Sequence, residues 1–128
     1  MKYRLMDILA CPMCKHFHLD LYVFQEKDYP KREPNGQPPL CEIYCAYKNA
    51  DVRSLESPPC GECIKKEVVE GLLVCPSCNR WYPIIDEIPR MLPDKLRKRE
   101  SDLEFLEKYR SKIPQKVLES GLPFNLKS

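Results

Sequence analysis

The sequence predicts an α+β fold in which a short antiparallel sheet is flanked by helices and interrupted by an inserted helical segment that carries cysteines. Three observations predict it. Apolar residues alternate with period two over 19–24, and short apolar runs over 68–74, 80–85 and 88–92 also read as strands. Near both ends of the chain they recur at three and four residues, which is the spacing of amphipathic helices. Cys-Pro-x-Cys occurs twice, at 11–14 and 75–78, and four more cysteines lie between the copies.

Residues 3–10 place Leu5, Ile8 and Leu9 on one helical face and lead directly into Cys11-Pro12-Met13-Cys14. Leu19 to Phe24 is a strand, and the prolines from Pro30 to Pro39 make 28–39 a loop. Leu40 to Lys48 reads as a helix with Cys41 and Cys45 on one face, and Cys60-Gly61-Glu62-Cys63 follows Pro58 and Pro59. Val68 to Val74 is a strand ending at Cys75-Pro76-Ser77-Cys78, and 80–85 and 88–92 form a hairpin turning at Asp86 and Glu87. That turn favours glycine at its second position. Ser101 and Glu104 have capping-box spacing ahead of the stripe Leu103, Leu106, Tyr109 and Ile113. A last helix spans Gln115 to Ser120, with Gly121 as its stop. The division expected is one discontinuous domain, 1–26 with 68–128, and an inserted central segment, 27–67.

With 128 residues, 43% of them apolar and 31% charged, the chain has the length and composition of one globular core. Its 13 prolines are about double average usage and call for short elements and stiff connections. A net charge of +2 is too small for a protein whose main task is to grip phosphate backbones. The basic run Lys95, Arg97, Lys98 and Arg99 reads as a solvated helix entrance. No run of about 18 apolar residues exists, and the first residues lack the apolar core of a secretory signal, so a cytoplasmic protein is expected. In that reducing compartment, eight cysteines point to metal ligation or redox chemistry before a disulfide framework.

A Cys-x-x-Cys turn aims two sulfurs at one point, and zinc takes four soft ligands in a tetrahedron. Cys11, Cys14, Cys75 and Cys78 therefore form one expected Zn(2+) site in a zinc-ribbon-like fold, although 60 residues separate Cys14 from Cys75 where simple ribbons have roughly 15–20. An insertion accounts for the gap. A tetrathiolate site is coordinatively closed and offers no position for a catalytic water. A redox disulfide is the competing reading, but thioredoxin-like motifs need a βαβ setting that is not visible here. Cys41, Cys45, Cys60 and Cys63 can form a second zinc site or two disulfides. His16 and His18 follow the first pair closely enough to ligate, yet their alternation with Phe17 and Leu19 fits the start of a strand.

Two blocks carry a family resemblance: Leu5-Met6-Asp7-Ile8-Leu9-Ala10-Cys11-Pro12, and the stretch from Glu70 to Pro93 that includes Cys75-Pro76-Ser77-Cys78-Asn79-Arg80-Trp81-Tyr82 and Ile88-Pro89-Arg90-Met91-Leu92-Pro93. In these blocks, about a quarter of its length, the chain resembles the small zinc-binding activator subunits of S-adenosylmethionine-dependent methyltransferases, in their archaeal type. It departs from them at Asn79 and Glu87, where the family has glycine. The resemblance implies a non-catalytic subunit that pairs with a class I methyltransferase catalytic subunit, keeps it soluble and supports its cofactor binding. It also implies alternative clients that modify tRNA, ribosomal RNA or a translation release factor.

The residues agree with that implication. The four glycines are too scattered for a cofactor-cradling loop, so no S-adenosylmethionine site of its own is expected, and no nucleophile, base and acid declare themselves. Ile84, Ile85, Ile88, Pro89, Met91 and Leu92 gather apolar surface on a strand whose proline belongs at a sheet edge. Such an edge can add to a partner's sheet. The competing function is a free-standing zinc-ribbon module that binds RNA or the ribosome through Lys95 to Arg99, with Trp81 and Tyr82 as stacking platforms.

Overall fold

Leu72–Val74, at the end of a strand that runs from Lys66, and Trp81–Ile85 are continuously apolar, so both faces of the sheet must be covered there. The computed structural model, which describes residues 1–34, 36 and 38–127, places them at the centre of the sheet. A 3₁₀ turn over Tyr3–Asp7 precedes β1 (Asp20–Asp28). The next stretch holds a small hairpin, β2 (Tyr44–Cys45) with β3 (Ala50–Asp51), and one helical turn, α1 (Cys60–Cys63). Then come β4 (Lys66–Val74), β5 (Trp81–Ile85), β6 (Ile88–Pro89), α2 (Arg99–Lys108) and α3 (Gln115–Ser120). Four strands pair antiparallel in the order β1-β4-β5-β6, and β1 meets β4 from Asp20↔Val74 to Asp28↔Lys66. The α+β class, with its small antiparallel sheet and few helices, is as expected.

Side-chain alternation sorts two cores onto the two faces of the sheet. Leu73, Cys75, Tyr82 and Ile84 point to one face with Met6 and Leu19. Leu72, Val74 and Trp81 point to the other, under Phe105, Leu106 and Val117 of the C-terminal helices. Each large apolar side chain withdrawn from water in this way contributes about 1.5–3 kcal/mol. β1 bulges around Phe24, whose ring stacks on Tyr109 with centroids 4.8 Å apart. The bulge thus re-aims one side chain toward α2.

Several local expectations give way to tertiary contacts. The first turn is 3₁₀ and not α, and it buries Tyr3 and Met6, while Ile8 is 75% exposed and Leu5 and Leu9 are only half-buried. The helix expected over 40–48 is a hairpin: Tyr44 pairs with Asp51, Cys45 pairs with Ala50, and Asn49 turns with φ +52°. Positions 35 and 37 of the expected 28–39 loop lie outside the described residues. The capping box does not form, because α2 begins at Arg99, ahead of Ser101, and among the described residues no side chain caps it. Gly121 does end α3, but at φ −62° and not in the left-handed region. A Cβ there would stand 2.5 Å from the Val117 carbonyl and 2.9 Å from Trp81, so close approach is what requires glycine.

The β5–β6 turn keeps its expected place without glycine. Asp86 and Glu87 adopt φ +51° and +69°, the pattern of a primed turn. Glu87 is held there by its N–H donating to the Val69 carbonyl at 2.9 Å and by the Tyr29 hydroxyl donating to its carboxylate at 2.6 Å.

Asp7 explains the hairpin at 44–51. Its carboxylate accepts from the backbone N–H groups of Glu42, Ile43 and Tyr44 at 2.7–2.8 Å. Burial opposes its ionisation, but these three donors prevail and hold the carboxyl below its usual value. Hydrogen bonds to a charged group contribute about 1.5–3 kcal/mol, so Asp7→Ala is expected to loosen the hairpin by that order and to accelerate amide exchange at Tyr44. Because the folded pKa is depressed, the contribution is present above the unfolded value of about 3.9 and is lost as pH falls through the lower folded value. Unchanged exchange at Tyr44 in Asp7→Ala would count against this role.

Candidate metal centre

Both Cys-Pro-x-Cys turns fold the same way. In the first, the Lys15 N–H donates to the Cys11 carbonyl at 2.8 Å and the Cys11 N–H to the His16 carbonyl at 3.0 Å. In the second, the Asn79 N–H donates to the Cys75 carbonyl at 2.9 Å and the Cys75 N–H to the Arg80 carbonyl at 2.8 Å. Lys15 and Asn79 occupy the same left-handed position, with φ +68° and +62°. Asparagine tolerates that conformation well, so the absence of glycine at position 79 leaves the turn intact.

The turns bring the sulfurs of Cys11, Cys14, Cys75 and Cys78 within 4.8 Å of one another, close enough to bind one metal ion. Cys11 and Cys78 are 3.7 Å apart, and Cys14 and Cys75 3.5 Å. A tetrahedron with metal–sulfur bonds of about 2.3 Å has an edge of about 3.8 Å, so the donor set fits such an ion. Burial works against ionisation of Cys11, yet hydrogen bonds from the Tyr82 hydroxyl, 3.2 Å away, and from the Cys14 and Met13 N–H groups bring it down to about 6. Burial instead pushes Cys75 up to about 12 against the Cys78 and Ser77 N–H groups. Four adjacent thiolates repel one another, and a cation at their centre removes that conflict. Arg80 flanks the centre: its guanidinium forks onto Asp94 at 2.9 and 2.7 Å and also reaches Cys78. Tyr82 and Arg80 are thus supporting groups that cysteine spacing did not reveal.

The histidines stay out of the cluster. His18 stacks on Tyr44 with ring centroids 3.8 Å apart, and the four-sulfur group includes neither His16 nor His18. All eight cysteines are free of disulfides, and among the described residues only Cys11, Cys14, Cys75 and Cys78 have sulfurs in metal-binding proximity.

Of the apolar edge residues, Ile88 on the outermost strand is 59% exposed and Leu92 is 41% exposed, with Pro89 half-buried. Ile84, by contrast, is fully buried in the core on the metal side. Ile85 packs against the helical core and Met91 against the metal-side core, so both serve the fold in part. Sequence reasoning missed Leu5 and Ile8, which line a groove together with Pro89. The sequence carried no signal for this, since helical spacing grouped Leu5 and Ile8 on one apolar face, whereas the 3₁₀ turn buries Tyr3 and Met6 instead.

The stacking platform needed for direct RNA binding is not exposed: Trp81 and Tyr82 are 0% and 1% accessible. The basic run is also broken, because Arg97 turns inward, donates to the Trp81 carbonyl at 2.7 Å and pairs with Asp102 at 2.9 Å. Among the described residues no helix is long and apolar enough to cross a membrane.

A short antiparallel sheet whose two knuckles converge on one four-sulfur centre defines a metal-binding ribbon protein. The chain belongs to the Trm112p-like family, whose model matches residues 2–87. That family is known for regulatory subunits that partner and activate methyltransferases and are not themselves catalytic. No curated protein matches the chain.

Proposed function

We propose that this chain is a cytoplasmic, non-catalytic subunit that forms a heterodimer with a class I, S-adenosylmethionine-dependent methyltransferase and activates it. Its clients are enzymes that modify tRNA, ribosomal RNA or a translation release factor, and the ion of the four-cysteine centre is zinc. Tetrahedral sulfur coordination suits zinc, which is redox-inert and holds structure.

The observation that carries this reading is the apolar edge. Ile88, 59% exposed, lies on β6, which has β5 on one side and, among the described residues, no strand on the other. An exposed apolar edge strand invites pairing. A partner strand laid along β6 would gain backbone hydrogen bonds there, while Ile88 and Leu92 supply apolar contact and the groove beside Pro89 and Ile8 extends it.

Ile88→Asp combined with Leu92→Asp is expected to keep the metal and the fold and to abolish copurification with a methyltransferase. Both side chains are exposed, so the double variant tests the surface without opening a core. Copurification undiminished by the two aspartates would overturn the proposed surface. The complex should also survive raised salt, whereas a phosphate-backbone contact would weaken steeply.

A further inference from the structure

The stretch between β1 and β4 has very little core of its own. Its buried apolar residues are Tyr44, Cys45, Val52, Cys60 and Ile64, two of them cysteines. Among its described residues the regular structure is two two-residue strands, a 3₁₀ turn over Val52–Ser54 and one helical turn. Segments this poor in core are commonly held by a staple such as a metal or disulfides.

The geometry points to a second metal centre, in which Cys41, Cys45, Cys60 and Cys63 hold one thiophilic divalent cation of the zinc class. All four line a single cavity of about 20 Å³. Apart from Arg4, the rest of the lining is apolar, including Leu40, Val52 and Ile64. A water needs roughly 10–15 Å³ and two to four polar partners, so the space suits one small occupant and the sulfurs are poor hosts for water. Soft sulfur donors select a soft or borderline cation over magnesium or calcium.

The turn that carries Cys60 and Cys63 repeats the bond that shapes the other two knuckles. The Ile64 N–H donates to the Cys60 carbonyl at 3.0 Å, as Lys15 does to Cys11 and Asn79 to Cys75. It stays right-handed because β-branched Ile64 disfavours positive φ. The Leu40 N–H points at the Cys60 sulfur at 3.4 Å, the kind of donor that steadies a thiolate ligand. Cys63 lies within electrostatic reach of Cys45, Cys41 and Cys60 together. An arginine accompanies each cluster, Arg80 beside Cys78 and Arg4 in the wall of this cavity, offsetting the negative charge left when four thiolates surround a divalent ion.

No three of these sulfurs lie within 4.8 Å of one another, so the β2–β3 hairpin and the Cys60–Cys63 turn must draw together around the ion. Each ligating thiol gives up its proton to solvent as the ion enters. The centre is independent of the methyltransferase reading, since metal content is measured on the isolated chain.

Native mass spectrometry of the reduced, zinc-supplied protein should find two ions per chain, and Cys41→Ser with Cys63→Ser should find one. Cadmium-113 NMR of the wild-type protein decides without any variant: two tetrathiolate resonances are expected. A single resonance, or one ion with four thiols open to alkylation, would overturn the second centre. So would one ion with four thiols lost to disulfides when reductant is omitted throughout.

Discussion

Cys75→Ser is expected to release the metal and unfold the sheet. Cys75 is fully buried where β4 ends, and its sulfur faces that of Cys14 across 3.5 Å. A serine hydroxyl is a poor ligand for a soft site, and its burial among Leu73, Tyr82 and Ile84 adds the cost of an unsatisfied polar group. Structural zinc binding amounts to an apparent ~10–16 kcal/mol, comparable to the whole stability of a small domain at about 5–15 kcal/mol. A strong chelator should give the same collapse, read as loss of strand signal in far-UV circular dichroism together with loss of metal. Cys14→Ser should be milder, since Cys14 is exposed and its hydroxyl can stay hydrated. Methyltransferase activation would be lost with the fold, because a closed centre has no chemistry of its own to lose. Full activation by a metal-free, folded Cys75→Ser protein would falsify that view.

The second large effect is expected at Asp102. The Arg97 and Asp102 side chains are 2% and 8% exposed and form an ion pair at 2.9 Å. Arg97 also lies over the Trp81 ring, 4.6 Å from its centroid. Asp102→Ala leaves the guanidinium buried with its carboxylate gone, which costs about 3–5 kcal/mol. For a chain of this length the melting point should fall on the order of 10–20 °C. Arg97→Met combined with Asp102→Leu removes both charges and should recover most of the loss; failure to recover would mean that packing and not the unpaired charge sets the cost. Burial raises the Asp102 carboxyl above its usual value against the pull of Arg97. The folded state therefore holds that proton more tightly than the unfolded chain, and the contribution of Asp102 declines as pH rises through the raised value. Asp102→Ala should accordingly cost more in acid than at neutral pH.

The strands and the metal centre were legible because their signals are local. Short apolar runs marked β4 and β5, and ligand type together with two identical turns marked the four sulfurs. The hairpin at 44–51 was not legible. Cys41 and Cys45 share a helical face by spacing, but three consecutive N–H groups nearby belong to a carboxylate 35–37 residues away. No local pattern shows that competitor. Arg97 was misjudged for the same reason: amid lysines and arginines its composition says solvent, while its partners are the Trp81 carbonyl and Asp102. Glycine at 121 was recognised as a stop for the wrong cause, since the obstacles are the Val117 carbonyl and Trp81, the latter forty residues earlier in the chain. The edge was half legible, because alternation assigns opposite faces to Ile84 and Ile85 without saying which of them the core claims.

Trp81 is the only tryptophan of the chain. It follows the second knuckle, donates its indole N–H to the Phe124 carbonyl at 2.8 Å, stacks on Phe105 and carries Arg97 on its ring. Next to it, the Asn79 side chain donates to the Ser120 carbonyl at the end of α3 at 3.0 Å. A single intrinsic fluorophore therefore touches the metal knuckle, α2 and the C-terminal residues at once. Its emission can serve as a label-free gauge that separates two ways for the molecule to fail: peeling of the C-terminal arm with the ion still bound, and loss of the ion itself.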